Sequence, residues 1–243
     1  SFYYTAGFPG LTDTATVAES LADAGADIIE IGIPYSDPVA DGPTIQASNT
    51  VALKNGMRLS TLIEQVKQIR KKVSTPIILM GYINPVLQYG VEKFAKDAAD
   101  AGVDGVILPD MPMDEYLEHY KKLFDSVNLS NTFLISPTTS EERIRKIDDV
   151  TDGFIYAVSA SSITGAKGKF EKAQLDYFDR IKKMKLKNPY LIGFGISNHE
   201  TFATASQYGA GAIVGSAFVD LLKNSKNLKA DITAFVKALK NGQ

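Results

Sequence analysis

The chain has 243 residues, 44% of them hydrophobic, which is enough to build one sizeable core and is an ordinary length for a single α/β barrel. Its 26 basic and 28 acidic residues are spread evenly, leaving no basic stripe for nucleic acid, and no run of 18 apolar residues is long enough to span a bilayer. With no cysteine there is no disulfide or thiolate chemistry. The two histidines, His119 and His199, lie in separate helical segments, which speaks against a His-based zinc site. These features, and the lack of a secretory leader pattern, point to a cytoplasmic protein acting on a small molecule.

Eight short β-rich runs follow one another: FYYT (2–5), DIIEI (27–31), PIILMG (76–81), GVIL (105–108), TFLI (132–135), FIYAVS (154–159), YLIG (190–193) and AIVG (212–215). Helical periodicity fills the spaces between them, over 14–24, 60–72, 91–101, 114–126, 140–149, 175–184 and 200–208, and closes the chain over 217–223 and 230–240. Uninterrupted apolar strands alternating with helices predict a parallel sheet covered by helices. The phrase ADAGADIIEI (22–31) recurs as ADAGVDGVIL (99–108) and more loosely as QYGAGAIVG (207–215). Gly25, Gly102 and Gly209 then take the left-handed position that ends each helix. Equal αβ turns and eight strands favour a closed (β/α)8 TIM barrel, one domain over residues 1–243, over an open doubly wound sheet.

In such a barrel the chemistry sits at the C-terminal strand ends. Glu30 ends the second strand inside an apolar run. A strand flanked by apolar residues on both faces turns this acid toward the interior, where burial raises its pKa into acid/base range. Asp41 follows in the loop SDPVADGP, whose prolines hold its carboxylate over the mouth at little entropic cost. Asp37 in the same loop reads as a turn residue. Three late strand ends are rich in glycine: SSITGAKG (161–168), GFGIS (193–197) and VGSAF (214–218). Together they fit a barrel phosphate site built from backbone N–H groups and a short helix beginning near Ser216, with Lys167 as an auxiliary cation. Tyr156 on strand six is a hydrogen-bonding candidate. Met80, Tyr82, Leu108 and Phe194 outline a flat apolar slot. No strand carries a lysine, which counts against Schiff-base chemistry. An acid pair, a flat slot and an anion cradle suit an aromatic phosphate ester.

The motif IEIGIPYSDPVADGPTIQ (29–46), with TAGFPG, MGYINPVLQYG, LPDMP, SSITGAKG, GFGIS and VGSAF in the same order, resembles the tryptophan synthase α-subunit family over essentially the whole chain. The resemblance implies cleavage of indole-3-glycerol phosphate to indole and glyceraldehyde 3-phosphate, without a cofactor in this chain. It implies Glu30 as general acid/base, Asp41 on the indole N–H and Tyr156 beside the acid/base. Gly165, Gly195, Gly215 and Ser216 become phosphate contacts, and Thr164 the partner of Asp41 when the two loops close as a lid. It further implies a β subunit carrying pyridoxal phosphate, in an α2β2 complex. Two departures stand out: Ala160 and Ser162, where family members often have arginine and glycine, and a chain that opens at strand one, so that the family's N-terminal helix is expected to be missing. Two other readings are a regulatory subunit that mainly activates its β partner, and a different phosphate-binding barrel enzyme such as an isomerase.

Overall fold

The computed structural model describes residues 1–159 and 168–242. Its strands are β1 (Phe2–Thr5), β2 (Ile29–Gly32), β3 (Ile77–Met80), β4 (Gly105–Ile107), β5 (Ser130–Thr132), β6 (Leu134–Ile135), β7 (Ile155–Val158), β8 (Tyr190–Gly193) and β9 (Gly211–Ile213). All neighbours pair in parallel and in chain order. β5 and β6 are two pieces of one barrel strand interrupted at Phe133, whose carbonyl still accepts from the Tyr156 N–H at 3.0 Å. The last strand returns to the first: Phe2 bridges Val214, and the Tyr3 N–H donates to the Val214 carbonyl at 2.8 Å. The sheet is therefore a closed (β/α)8 barrel.

Among the described residues twelve α-helical segments surround it: α1 (Asp13–Asp23), α2 (Pro43–Lys54), α3 (Leu59–Ile69), α4 (Ile83–Tyr89), α5 (Val91–Ala101), α6 (Met113–Glu115), α7 (Lys121–Ser126), α8 (Glu141–Val150), α9 (Lys172–Met184), α10 (His199–Tyr208), α11 (Ser216–Asn224) and α12 (Leu228–Asn241). A turn of π-helix (Tyr116–Tyr120) joins α6 to α7, so the helix expected over 114–126 is present but locally widened to i→i+5 hydrogen bonding. Two helices were not expected, α2 and α4. Pro43 is no breaker, because it occupies the first turn of α2, where its missing N–H costs nothing. Among the described residues no helix is long and apolar enough to cross a membrane.

Alternation along each strand sorts side chains into two layers. Ile29, Ile31, Ile77, Leu79 and Val106 face outward and pack with helix residues such as Leu21, Leu62, Val66 and Phe94. Ile78, Ile107, Tyr156, Leu191 and Ile213 face inward, with Met80, Leu134 and Phe194 packed against them. Each large side chain sealed in these layers contributes roughly 1.5–3 kcal/mol, so the fold tolerates one buried acid.

The recurring helix-to-strand phrase behaves as expected twice. Gly25 (φ +86°) and Gly102 (φ +89°) are left-handed. Gly209 is extended instead (φ −109°, ψ −177°). Its requirement is space, since a Cβ there would lie 2.8 Å from the Tyr190 carbonyl oxygen.

At the N-terminal end of the strands, Arg70 clasps two helix ends. It donates to the carbonyls of Gly102, Val73 and Thr75 and to the Asp104 carboxylate, which also accepts from the Ile77 N–H. An open groove of about 610 Å³ lies beside it, lined by Arg70, Lys71 and Lys72. It is at the wrong end of the barrel for strand-end chemistry, and its guanidinium is committed to carbonyl groups.

Candidate active site

Glu30 is the second residue of β2, not its last, and is in register with Tyr3 on β1 and Ile78 on β3. Its neighbours Ile29 and Ile31 belong to the outer layer, so Glu30 points inward, where it is completely buried. One carboxyl oxygen accepts from the Ser1 hydroxyl at 2.6 Å, which leans the group toward the N-terminal end of the barrel. The other, Oε2, has no partner among the described residues. Burial pushes its pKa up, opposed by the Ser1 hydrogen bond.

Asp41 comes from the β2–α2 loop, half-buried at the mouth. Burial pushes its carboxyl up to about 6, and a hydrogen bond from the Tyr82 phenol pulls it back. That phenol also accepts from the Ala40 N–H at 3.0 Å, so Tyr82 holds the loop in place. Tyr35 stacks on Tyr82 at 5.2 Å, and its backbone N–H donates to Asn49 of α2. The unexpected helix α2 therefore anchors the loop from one side and the β3 end from the other.

A cavity of about 70 Å³ opens at this rim, and its wall includes Tyr3, Asp41, Met80, Tyr82, Leu134 and Phe194. Three of the four expected slot residues are thus brought together. Leu108 is not one of them: it packs in the outer layer, because Ile107 takes the inward position and Pro109 reaches the wall in its place. Glu30 lies beneath the wall and not on it. Tyr156 faces inward from β7, in ring contact with Phe194 at 6.2 Å. Burial pushes its phenol well up, and Glu30, Tyr3 and Asp41 add to this, so both carboxylates act on one interior space.

Both interior phenols need glycine opposite them. A Cβ on Gly32 would overlap the Tyr3 phenol, and one on Gly193 would overlap Tyr156. Tyr3 was not singled out by the sequence. FYYT has no polar alternation to show which tyrosine turns inward, and only its register with Glu30 identifies it.

On the other side of the mouth, Phe194 (φ +68°) and Gly195 (φ +77°) are both left-handed. The Phe194 carbonyl is fixed by the Ser159 hydroxyl at 2.7 Å. Gly215 precedes α11, whose N-terminus has no side-chain cap, and Ser216 is its first residue. A Cβ on Gly215 would meet nothing within 4 Å, so the amides there front open space. Gly165, Thr164, Ala160, Ser162 and Lys167 lie outside the described residues.

With this geometry in view, comparison with known proteins is decisive. The family described as tryptophan synthase alpha chain matches residues 2–242. The chain belongs to the tryptophan synthase alpha chain family. It is similar to the tryptophan synthase alpha chain of Flavobacterium psychrophilum, 53% identical over 239 residues that cover 98% of this chain and 94% of that one. Among solved structures it is similar to the tryptophan synthase A-subunit of Pyrococcus furiosus, at 36% identity and a TM-score of 0.89, covering 98% of this chain and 96% of that one. It is also similar to tryptophan synthase from M. tuberculosis in its aminoacrylate-bound form, at 32% identity and a TM-score of 0.85, covering 98% and 90% of the two chains. As a family member it is a lyase of tryptophan biosynthesis with indole-3-glycerol-phosphate aldolase activity.

Proposed function

We propose that this chain, acting as a single barrel domain in the cytoplasm, performs the cleavage with Glu30 as general acid/base and Asp41 as the electrostatic partner of the ring. Protonated Glu30 gives its proton to C3 of the indole ring. The carboxylate left behind takes the proton of the C1′ hydroxyl as the C3–C1′ bond breaks. The bond's electron pair returns to the ring, the O–H pair becomes the aldehyde C=O, and Glu30 ends protonated again. Ionised Asp41 accepts the indole N–H and offsets the positive charge that protonation at C3 places on the nitrogen.

The observation that carries this reading is a fully buried glutamate on the inward face of β2, with its charged form disfavoured and one oxygen unpartnered among the described residues. Reaching the substrate takes a side-chain rotation that breaks the 2.6 Å bond to Ser1. Tyr156 stands beside the acid/base, Met80, Tyr82 and Phe194 hold the ring, and Gly195, Gly215 and Ser216, with Gly165, hold the phosphate through backbone amides. Thr164 bonds Asp41 when the loops close. Indole then passes to a β subunit that carries pyridoxal phosphate, in an α2β2 complex, while this chain uses no cofactor of its own. Val39 in the Asp41 loop and Leu87 on α4 are 82% and 49% exposed on the mouth side, which supports a partner surface there.

An indole-release assay with and without a β subunit tests the proposal. Glu30→Gln is expected to lower release by about 10² to 10⁴ while substrate still binds. Unchanged turnover in that variant, or a wild type that activates a β subunit yet releases no indole, would end it.

A further inference from the structure

Ser159, the residue after β7, is almost completely buried, and two groups meet its hydroxyl. The hydroxyl lies 2.7 Å from the Phe194 carbonyl oxygen, just past the end of β8. The side-chain nitrogen of Gln174, in the first turn of α9, lies 3.2 Å from the same hydroxyl and 3.2 Å from the Ser159 carbonyl oxygen. At the other end of that amide, the Gln174 oxygen accepts from the Glu171 N–H at 2.9 Å, which closes the start of α9. A helix start, a strand end and the turn after the neighbouring strand are thus tied in one row.

The order of donors in this row is fixed from both ends. A backbone N–H only donates, so the Gln174 oxygen faces Glu171 and its NH2 group, a donor only, faces Ser159. A carbonyl only accepts, so the single Ser159 hydroxyl proton goes to Phe194. The peptide bond from Phe194 to Gly195 is trans, and its C=O and N–H therefore point in opposite directions. With the carbonyl drawn onto Ser159, the Gly195 N–H is turned away from it and has no partner among the described residues. This orientation needs holding. Phe194 is left-handed, a conformation that a bulky residue keeps only where its surroundings hold it, and Gly195 has no Cβ to resist rotation of the peptide plane. A rotated peptide would put a carbonyl oxygen where the N–H now stands.

We propose that Ser159 and Gln174 are positioning residues for the phosphate: the row from the start of α9 through Ser159 keeps the Gly195 N–H turned to the anion and the Phe194 carbonyl turned from it. This rests on the function proposed above, in which the Gly195 amide holds the phosphate. Neither side chain touches the substrate. Each acts through one peptide unit, whose two ends carry opposite partial charge, so its orientation decides whether the rim attracts or repels an anion.

The test measures Kd for two ligands: indolylpropyl phosphate, and the indolylpropanol that has the same ring and chain with a hydroxyl in place of the phosphate. In Ser159→Ala the preference for the phosphate over the alcohol is expected to fall about tenfold, the scale of one hydrogen bond to a charged group, with Kd for the alcohol unchanged. Gln174→Leu leaves the Ser159 hydroxyl on Phe194 but removes the donor that orients it. That variant is expected to lower the preference about threefold alone and to add nothing in the Ser159→Ala background. A preference ratio does not move when a variant is merely less stable. A retained preference in Ser159→Ala, or equal losses for both ligands, would overturn the inference, and additive losses in the double variant would overturn the part given to Gln174. Should Ser159→Ala not fold, Gln174→Leu decides, and an unchanged preference there overturns the inference. A wild type with no preference for the phosphate would defeat the phosphate reading itself, whereas a wild type with that preference and variants that keep it defeat this inference alone.

Discussion

The two sides of the barrel mouth are built from different materials. Strands β1 to β3 present side chains: the acids Glu30 and Asp41 and the phenols Tyr3 and Tyr82. Strands β7 to β9 end in Ser159, the left-handed pair Phe194 and Gly195, and Gly215 at the start of α11, which present mainly backbone. On the function proposed above, the difference follows the ligand. Proton transfer needs groups whose pKa can be set by surroundings, whereas a phosphate dianion needs several fixed N–H donors and no side chain in the way.

The largest test of that division after Glu30 itself is Asp41→Asn. Losing the charge opposite the ring nitrogen is expected to cost about 10² to 10³ in indole release. Stability is expected to move the other way. A carboxyl whose folded pKa is about 6, against an ordinary 3.8, contributes stability that is complete below pH 3.8 and lost as pH rises through 6. Asparagine at this position should therefore stabilise the fold above pH 7 by up to about 2 kcal/mol and change nothing below pH 3.8. Wild-type activity should fall as pH drops below 6, when Asp41 is protonated, and fall again on the alkaline side, when Glu30 loses its proton. Thermal melts and pH–rate profiles check both, and an acid limb that survives in Asp41→Asn would refute the assignment.

The backbone side is sharpened by Gly215→Asp. The position has φ −112° and open space around a Cβ, so the fold should hold within about 1 kcal/mol, the new carboxylate being welcome at a helix N-terminus. Phosphate-ester affinity should nevertheless fall, by about 10-fold or more, because the carboxylate occupies the anion's place. Equal affinity of the wild type for phosphorylated and dephosphorylated substrate would break the comparison at this point. Smaller again is Gly193→Ala, where a Cβ would overlap Tyr156. It should cost about 1–3 kcal/mol in stability by overpacking and only a few-fold in turnover, and truncation of Tyr156 to alanine should relieve the stability loss. Melting the single and double variants decides it.

Much of the scaffold can be read from the chain, and the misses have physical reasons. Eight apolar runs and repeated αβ turns suffice for a closed barrel. Pro43 and Pro85 hide α2 and α4, because proline reads as a breaker unless the helix start is already known. The acids are legible because an isolated glutamate in an isoleucine run conflicts with its setting. Tyr3 is not, because its meaning lies in register with Glu30, a relation between strands that no single segment contains. Leu108 fails for a similar reason: a strand end one residue too long turns inward to outward.

Tyr82 holds the Ala40 amide and with it the loop, and burial in that seated loop raises the Asp41 carboxyl, so where the loop sits and whether Asp41 carries a proton are coupled. Seating the loop moves Asp41 from its solvent value to about 6, and near pH 5 it therefore draws a proton from the buffer. Above pH 7 that exchange vanishes. The heat of loop seating should accordingly depend on the ionisation enthalpy of the buffer in mildly acid solution and become indifferent to it in alkali.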